Sequence, residues 1–245
     1  MHGGDDEAAV ARRDPNRPVH LLVILIGGAD SDPTPRQIEG TAARSEGNSG
    51  LFQLAGDITR ERIVPEYFNW NGTRAGKITT RNPPGAKAIC HFIREHLQNF
   101  PSDKVAIVGN SWGGHTALEV VQLLGQPDAP LAVRLVVFLD ASSTARGPAK
   151  PKHLPVNVHG AVNYFTHSFF VWGKWDAGTR IENIDLGDPK NHYMQHGEPA
   201  YHARFDVRAH VAAEWDQAIH DEIKLRLPGL LPAAQEVGKT TENAK

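Results

Sequence analysis

One serine of the chain has the surroundings of a catalytic nucleophile. Ser111 lies in the run KVAIVGNSWGGHTALEVV, where a β-rich apolar stretch leads into GNSWGG and then into a helix-like pattern. On such a sharp strand-to-helix turn the serine hydroxyl projects from the top of the sheet, and the next backbone N–H points into the same site. The alternative is a glycine-rich turn whose serine only caps the helix. The strand and helix pattern on both sides favours the nucleophile.

The run GNSWGG resembles the nucleophile turn of the α/β-hydrolase superfamily, and within it the esterase and lipase branch. The resemblance covers roughly residues 20–225, but its specific part is this run, because the rest is strand order and spacing. Members of the superfamily carry a catalytic triad in the chain order Ser, then Asp or Glu, then His. The resemblance therefore implies that the partners of Ser111 follow it in the chain.

The acid of such a triad is expected at the carboxyl end of a strand, where it orients an imidazole and stabilises its cation. Asp140 fits because it ends the apolar run RLVVFLD, the next strand after the nucleophile's helix. Its position resembles that in lipases whose acid lies one strand earlier than in most members. Asp176, in FFVWGKWDAG, resembles the commoner arrangement and stays open as the alternative. Asp185 and Asp188 are two further candidates.

Thirteen histidines are present, so position must decide which one is the base. The resemblance places the base in the loop between the last strand and the closing helix. This loop contains His192, His196 and His202. We predict His202, which is nearest to the helix in a small-x-His-x-x-hydrophobic run similar to that of many members. His210 and His220 fall within the helix pattern and are interpreted as solvated or packed side chains.

His192 and His196 are four residues apart, a spacing that also occurs in zinc sites. A zinc pair at this spacing normally lies on a helix and has a third ligand elsewhere. The surrounding run NHYMQHGEP ends in Gly and Pro and is not typical of a stable helix. We therefore predict no metal, and the triad chemistry needs no organic cofactor.

Acyl transfer also needs donors for the oxyanion of the tetrahedral intermediate, usually two backbone N–H groups. The resemblance assigns one of them to Trp112, directly after the nucleophile. The other is expected from the loop IGGADSD at 26–32, where two glycines let the chain turn tightly. The candidate donors of this loop are Gly28, Ala29 and Asp30. The same glycines are also compatible with a plain strand-ending turn.

The remaining pattern supplies the elements that must position these residues. Apolar runs predict strands within 20–28, 61–72, 104–111, 133–142, 155–173 (one strand or two) and 181–187. Helical spacing predicts helices within 83–100, 113–124 and 206–226. Alternating strands and helices imply parallel pairing through right-handed crossovers. The predicted fold is a three-layer α/β-hydrolase-type sandwich with a mostly parallel sheet, in a single domain with little or no lid.

The chain ends differ from the middle in composition. Residues 1–18 are polar with two prolines and are interpreted as a flexible arm, and 229–245 as a flexible tail. Residues 19–228 contain no internal repeat or low-complexity linker, which favours one domain. The only early apolar run, at 21–26, is too short for a secretory signal or a membrane span, so a cytoplasmic location is expected.

Composition excludes some function classes. The formal net charge is −2 and no long basic run occurs, so nothing indicates a nucleic-acid partner. A single cysteine rules out an internal disulfide. The resulting hypothesis is a serine hydrolase of carboxylic esters, with a small-molecule substrate whose apolar acyl group suits the Phe-, Trp- and His-rich segment 143–180. A thioesterase or amidase with the same triad, and a catalytically silent binding protein, remain the alternatives.

Overall fold

The computed structural model describes residues 17–29, 31–41, 47–71, 85–142, 153–175, 180–191, 193 and 207–232, and a six-stranded sheet lies at its centre. The strands are β1 (Leu21–Gly27), β2 (Ile63–Asn69), β3 (Lys104–Asn110), β4 (Leu135–Leu139), β5 (Ala161–Phe165) and β6 (Ile181–Asp185). Their order is β2-β1-β3-β4-β5-β6, and every pair is parallel. All strand carboxyl ends therefore meet at one edge.

Six α-helices accompany the sheet in the described residues. They are α1 (Pro35–Ile38), α2 (Gly50–Ile58), α3 (Ala86–Asn99), α4 (Trp112–Leu124), α5 (Val207–Trp215) and α6 (Gln217–Arg226). Short 3-10 turns occur at Pro189–Asn191 and Pro228–Leu230. The strands β3 and β4 are joined through α4, as expected for a parallel pair, which needs a crossover connection.

Two apolar clusters, one on each face of the sheet, hold these layers together. The even-numbered side chains of β1 join the cluster under α3 and α4, and its odd-numbered side chains join the cluster under α2, α5 and α6. Every side chain from Leu21 to Ile26 is fully buried, which explains why this strand is a continuous apolar run and not an alternating one. The predicted three-layer sandwich with a parallel sheet is confirmed. The described residues contain no separate lid, because the long helices all pack on this one sheet.

The segment 155–173, for which one strand or two were predicted, contains one, β5. Two other local predictions differ from the structure. The segment 206–226 forms two helices instead of one, because Asp216 ends the first and caps the second by accepting a 2.9 Å hydrogen bond from the N–H of Ala218. The helix α2 was not predicted, and it begins directly after its N-cap Ser49, whose hydroxyl accepts from the N–H of Phe52 at 3.1 Å.

The predicted arm and tail lie largely outside the described residues, so the boundaries at 18 and 229 stay predictions. Arg17, at the start of the described chain, is bound to the domain through the carboxylate of Asp103. Of the helices in the described ranges, none has the length and apolar character required to cross a membrane.

Candidate active site

The turn between β3 and α4 holds Ser111 in a backbone conformation that L-residues rarely adopt. Its φ is 52° and its ψ is −121°. A non-glycine residue in such a region costs about 1–3 kcal/mol and persists only where the surroundings enforce it. Here the N–H of Ser111 donates to the carbonyl of Leu139, and its own carbonyl accepts from the N–H of Ser142, both at 3.0 Å. The end of β4 therefore fixes the turn.

The glycines beside Ser111 are required by close backbone approach. A Cβ on Gly109 would lie 2.5 Å from the carbonyl oxygen of Gly113, and a Cβ on Gly113 would run into the carbonyl oxygen of Ile26. Such contacts are too short for real side chains, so the strand and the helix meet this closely only with glycine at both positions. The motif thus has a packing reason at each of its glycines.

Asp140 lies directly after β4, at the same sheet edge as Ser111. Its φ is 45° and its side chain is fully buried. The N–H of Thr166 donates to one carboxylate oxygen at 2.7 Å, and the Thr166 hydroxyl donates to the other at 2.9 Å. Two neutral donors from the end of β5 thus hold the carboxylate in one orientation.

The alternative acids are placed differently. Asp176 lies outside the described residues. Asp185 binds the His167 ring at 2.9 and 3.0 Å, and Asp188 accepts from the N–H of Lys190 at 3.0 Å. The acid that the structure brings to Ser111 through a histidine is Asp140.

The histidine that lies between Ser111 and Asp140 is His210, a residue other than the predicted His202. The Nε2 atom of His210 lies 2.8 Å from the Ser111 hydroxyl oxygen, and its Nδ1 atom lies 2.7 Å from the Asp140 carboxylate. His202, together with His192 and His196, lies outside the described residues, so its role as base stays a prediction. Among the described histidines, the geometry makes His210 the candidate base.

The interpretation of His210 as a solvated or packed helix residue did not anticipate that its ring points toward Ser111. It does lie within α5, between Ala209 and Val211, and Ala209 and Ala213 bury the helix against the sheet. The small alanines let α5 approach closely, so that His210 reaches the end of β3 from the helix itself, not from the loop before it. One signal was present in the sequence: two polar residues, His210 and Glu214, follow the two buried alanines at helical spacing.

The contacts of His210 define its tautomer. The Asp140 carboxylate only accepts, so Nδ1 carries a hydrogen and donates it. In the neutral ring Nε2 is then the acceptor, and it faces the hydrogen of the Ser111 hydroxyl. The residue is only 9% exposed, and the edge of Phe170 packs on the ring with centroids 4.9 Å apart. Serine, imidazole and carboxylate thus form one continuous hydrogen-bonded chain.

The predicted oxyanion donors border this chain. Trp112 is the first residue of α4, where a backbone N–H has no acceptor within the helix. Gly28 follows β1, and a Cβ on it would lie 2.8 Å from the Cβ of Ser111, so its backbone runs beside the nucleophile. Ala29 lies in the turn after it, and Asp30 is outside the described residues. Trp112, Gly28 and Ala29 stay the predicted donors.

A second hydroxyl lies beside the nucleophile. The Ser142 hydroxyl oxygen lies 3.3 Å from that of Ser111, and Ser142 is buried. The Ser111 hydroxyl thus has Nε2 of His210 and the hydroxyl of Ser142 within hydrogen-bond distance. The next residue of the chain, Trp112, meets the ring of Trp70 edge to face at 5.1 Å.

Comparisons with known proteins give no sequence match and only distant structural similarity. No family model and no curated protein sequence matches the chain. Among solved structures, it is similar to a putative YdeN-like hydrolase from Pectobacterium atrosepticum (14% identity, 93% of this chain and 98% of that chain covered, TM-score 0.42). It is also similar to an α/β serine hydrolase without a lid from Xanthomonas campestris (13% identity, 90% of this chain and 87% of that chain covered, TM-score 0.48). A third similar structure is an acetylxylan esterase (12% identity, 87% of this chain and 96% of that chain covered, TM-score 0.40). Strand order, crossovers and the strained serine turn give this chain the α/β-hydrolase fold.

Proposed function

We propose that the protein is a serine hydrolase that cleaves carboxylic esters, with Ser111 as nucleophile, His210 as base and Asp140 as the acid that orients it. The observation that carries the proposal is the hydrogen-bonded chain from the Asp140 carboxylate through His210 to the Ser111 hydroxyl, at 2.7 and 2.8 Å. A nucleophile within hydrogen-bond reach of a base that a third group orients is the signature of covalent catalysis.

The reaction follows from the positions of these atoms. The Ser111 oxygen attacks the ester carbonyl carbon while Nε2 of His210 takes the hydroxyl proton. The N–H groups of Trp112 and of the loop at Gly28 stabilise the oxyanion. When the tetrahedral intermediate collapses, the bond to the alcohol oxygen breaks and His210 returns the proton to that oxygen. Water then repeats the steps on the acyl-enzyme and releases the acid.

The groups around the site support an apolar acyl group. Phe170 packs on His210. The ring of Phe169, which is 59% exposed, meets the ring of Phe170 edge to face with centroids 5.4 Å apart. Val207 is exposed one helical turn before His210. Apolar surface beside a base favours substrates that bury hydrocarbon when they bind. We therefore infer a preference for aliphatic acyl groups larger than acetyl.

The test is hydrolysis of p-nitrophenyl acetate, butyrate and octanoate by the protein and by Ser111→Ala. We expect turnover by the wild type, faster with butyrate than with acetate, and a loss of at least about 10⁴-fold in kcat for the variant, because no acyl-enzyme can form. Activity that survives Ser111→Ala contradicts the proposed nucleophile.

A fluorophosphonate probe separates the enzyme from a silent scaffold. The probe reacts only with an activated serine, so the wild type is labelled at one site and Ser111→Ala is not. Ser102, in the turn before β3, gives the matched control, because Ser102→Ala leaves the triad intact. Absence of labelling in the folded wild type would favour the binding protein.

A further inference from the structure

A second ionisable side chain of α5, Glu214, lies buried one helical turn after His210. The residue is 4% exposed. One carboxylate oxygen accepts from the Ser31 hydroxyl at 3.0 Å and from Nδ2 of Asn110 at 2.9 Å. The other accepts from the Ser49 hydroxyl at 3.1 Å and from the N–H of Leu51 at 3.2 Å. A buried carboxylate is tolerated only when it is satisfied in this way. We call these five residues the Glu214 network.

The donors of the Glu214 network belong to segments that border the nucleophile. Asn110 directly precedes Ser111 in the chain. Ser31 lies in the loop that starts at Gly28, and its N–H donates to the Gly28 carbonyl at 3.4 Å. A Cβ on Gly28 would lie 3.3 Å from the carbonyl oxygen of Asn110, so loop and turn are in direct contact. The network therefore joins the helix of the base to the nucleophile turn and to the loop of the second oxyanion donor.

The start of α2 completes the network from the other side. A Cβ on Gly50 would run into the carbonyl oxygen of Glu214, so α2 and α5 touch at this point. The Ser49 hydroxyl lies 3.1 Å from the hydroxyl of Tyr67, which donates to the carbonyl of Ser31 at 2.5 Å. Ser31 is thus held at two points: its hydroxyl donates to Glu214, and its carbonyl accepts from Tyr67.

The position requires a carboxyl group and not merely a polar side chain. Each oxygen of Glu214 faces a group that can only donate, namely Nδ2 of Asn110 and the N–H of Leu51. A glutamine would present its NH₂ to one of these donors in either orientation. Burial raises the pKa of Glu214, and the hydrogen bonds from Leu51, Ser31 and Ser49 act in the opposite direction. The N-terminus of α2 also favours negative charge here.

We propose that Glu214 is a positioning residue of this active site, which holds Ser31, the adjoining Gly28 and the Asn110–Ser111 turn in fixed relation to α5. The inference rests on the proposed function. Glu214 does not touch the reacting atoms; it acts through Ser31 and Asn110, whose backbones carry or adjoin the oxyanion donors and the nucleophile. Its loss displaces groups that matter most in the transition state, so kcat should fall more than KM rises. A displacement of about 1 Å is enough for roughly 10²-fold.

The experiment compares Glu214→Gln with Glu222→Gln in the full chain. Glu222 is the matched control because it lies on the next helix, α6, and accepts from two hydroxyls, those of Tyr164 at 2.7 Å and Tyr193 at 2.6 Å. None of its partners belongs to the Glu214 network. We measure kcat and KM for p-nitrophenyl butyrate, the rate of fluorophosphonate labelling, and the midpoint of urea unfolding for each variant.

We expect Glu214→Gln to lower kcat and the labelling rate by about 10- to 100-fold with KM changed less than about threefold, while Glu222→Gln keeps kcat within about twofold. An equal fall in both variants, or a folded Glu214→Gln with wild-type kcat, overturns the proposal. If Glu214→Gln does not fold, Ser31→Ala decides: a fall of about tenfold in kcat supports the proposal and an unchanged kcat overturns it. A wild type that is itself inactive and unlabelled would contradict the proposed function, which separates the two failures.

Discussion

Two buried aspartates, one at each edge of the sheet, are hydrogen-bonded to a histidine. At the amino edge, before β3, an oxygen of Asp103 lies 2.9 Å from Nε2 of His96. At the carboxyl edge, after β4, an oxygen of Asp140 lies 2.7 Å from Nδ1 of His210. Both aspartate side chains are fully buried. By distance and burial alone the two pairs are alike.

Their other partners differ. The Asp103 carboxylate also binds the guanidinium of Arg17 at 2.9 and 3.2 Å and the N–H of His20 at 2.9 Å. A permanent cation therefore balances its charge, and the group stabilises the start of the domain. Among the described residues, the remaining donors to Asp140 are the N–H and hydroxyl of Thr166, which are neutral. His210 is thus the group that can take up a positive charge beside Asp140, and its free nitrogen meets a serine.

An Asp-His pair is suitable for catalysis only when two conditions are met. The carboxylate must not already be neutralised by a fixed cation, because its role is to stabilise the imidazolium that forms during proton transfer. The far nitrogen of the ring must also face a nucleophile. The amino-edge pair fails the first condition, since Arg17 neutralises Asp103. The ring of His96 packs on Phe100, with centroids 5.1 Å apart.

Removing His210 should impair catalysis severely, and His96 provides the comparison. His210→Ala should lower kcat for p-nitrophenyl butyrate by at least about 10⁴-fold, because no other described group reaches the Ser111 hydroxyl as a base. His96→Ala should leave kcat within about threefold of the wild type. His202→Ala is measured beside them. A severe loss of kcat in His202→Ala, with kcat retained in His210→Ala, would show that the base is His202 and not His210.

Replacing the proposed acid, Asp140, should also lower kcat. Asp140→Asn keeps the shape but lets the ring adopt the wrong tautomer, and we expect kcat to fall by about 10³- to 10⁴-fold. Asp176→Asn, at the alternative acid, serves as the comparison and should stay within about threefold. The opposite ranking of the two variants, measured with the same ester, would show that Asp140 is not the acid.

The two edges also differ in how much of them the sequence predicts. The carboxyl ends of parallel strands are readable from apolar runs, so Ser111 and Asp140 followed from where β3 and β4 end. His210 did not, because a helix pattern does not show which side chain reaches the site when α5 docks by its alanines. Glu214 was missed for the same reason, since its partners lie about 100 to 180 residues away in the chain. Long-range docking of a helix is set by packing, which no local pattern records.

The charge of Asp103 should make a modest contribution to stability at the amino edge. Burial would raise the pKa of Asp103, but hydrogen bonds from His96, Arg17 and the N–H of His20 outweigh it and lower the pKa from 3.8 to about 2. A lowered pKa in the folded state means that this carboxylate contributes stability above about pH 4 and loses it as the pH falls toward 2. Arg17→Met should therefore reduce the free energy of unfolding at pH 7 by about 1–2 kcal/mol.

Urea unfolding at pH 7, 4 and 2.5 measures this contribution. The difference between wild type and Arg17→Met should shrink as Asp103 is protonated, because the protonated group no longer needs the cation. Arg226→Met removes an ion pair with Glu182, at 2.8 Å, that is more exposed than the pair of Arg17 and Asp103. It should lower the free energy of unfolding by less than about 1 kcal/mol. Since Asp103 lies at the edge opposite Ser111, kcat at pH 7 should be unchanged in Arg17→Met. A difference that stays constant down to pH 2.5 would mean that Arg17 acts by packing on Phe100 and not through the charge of Asp103.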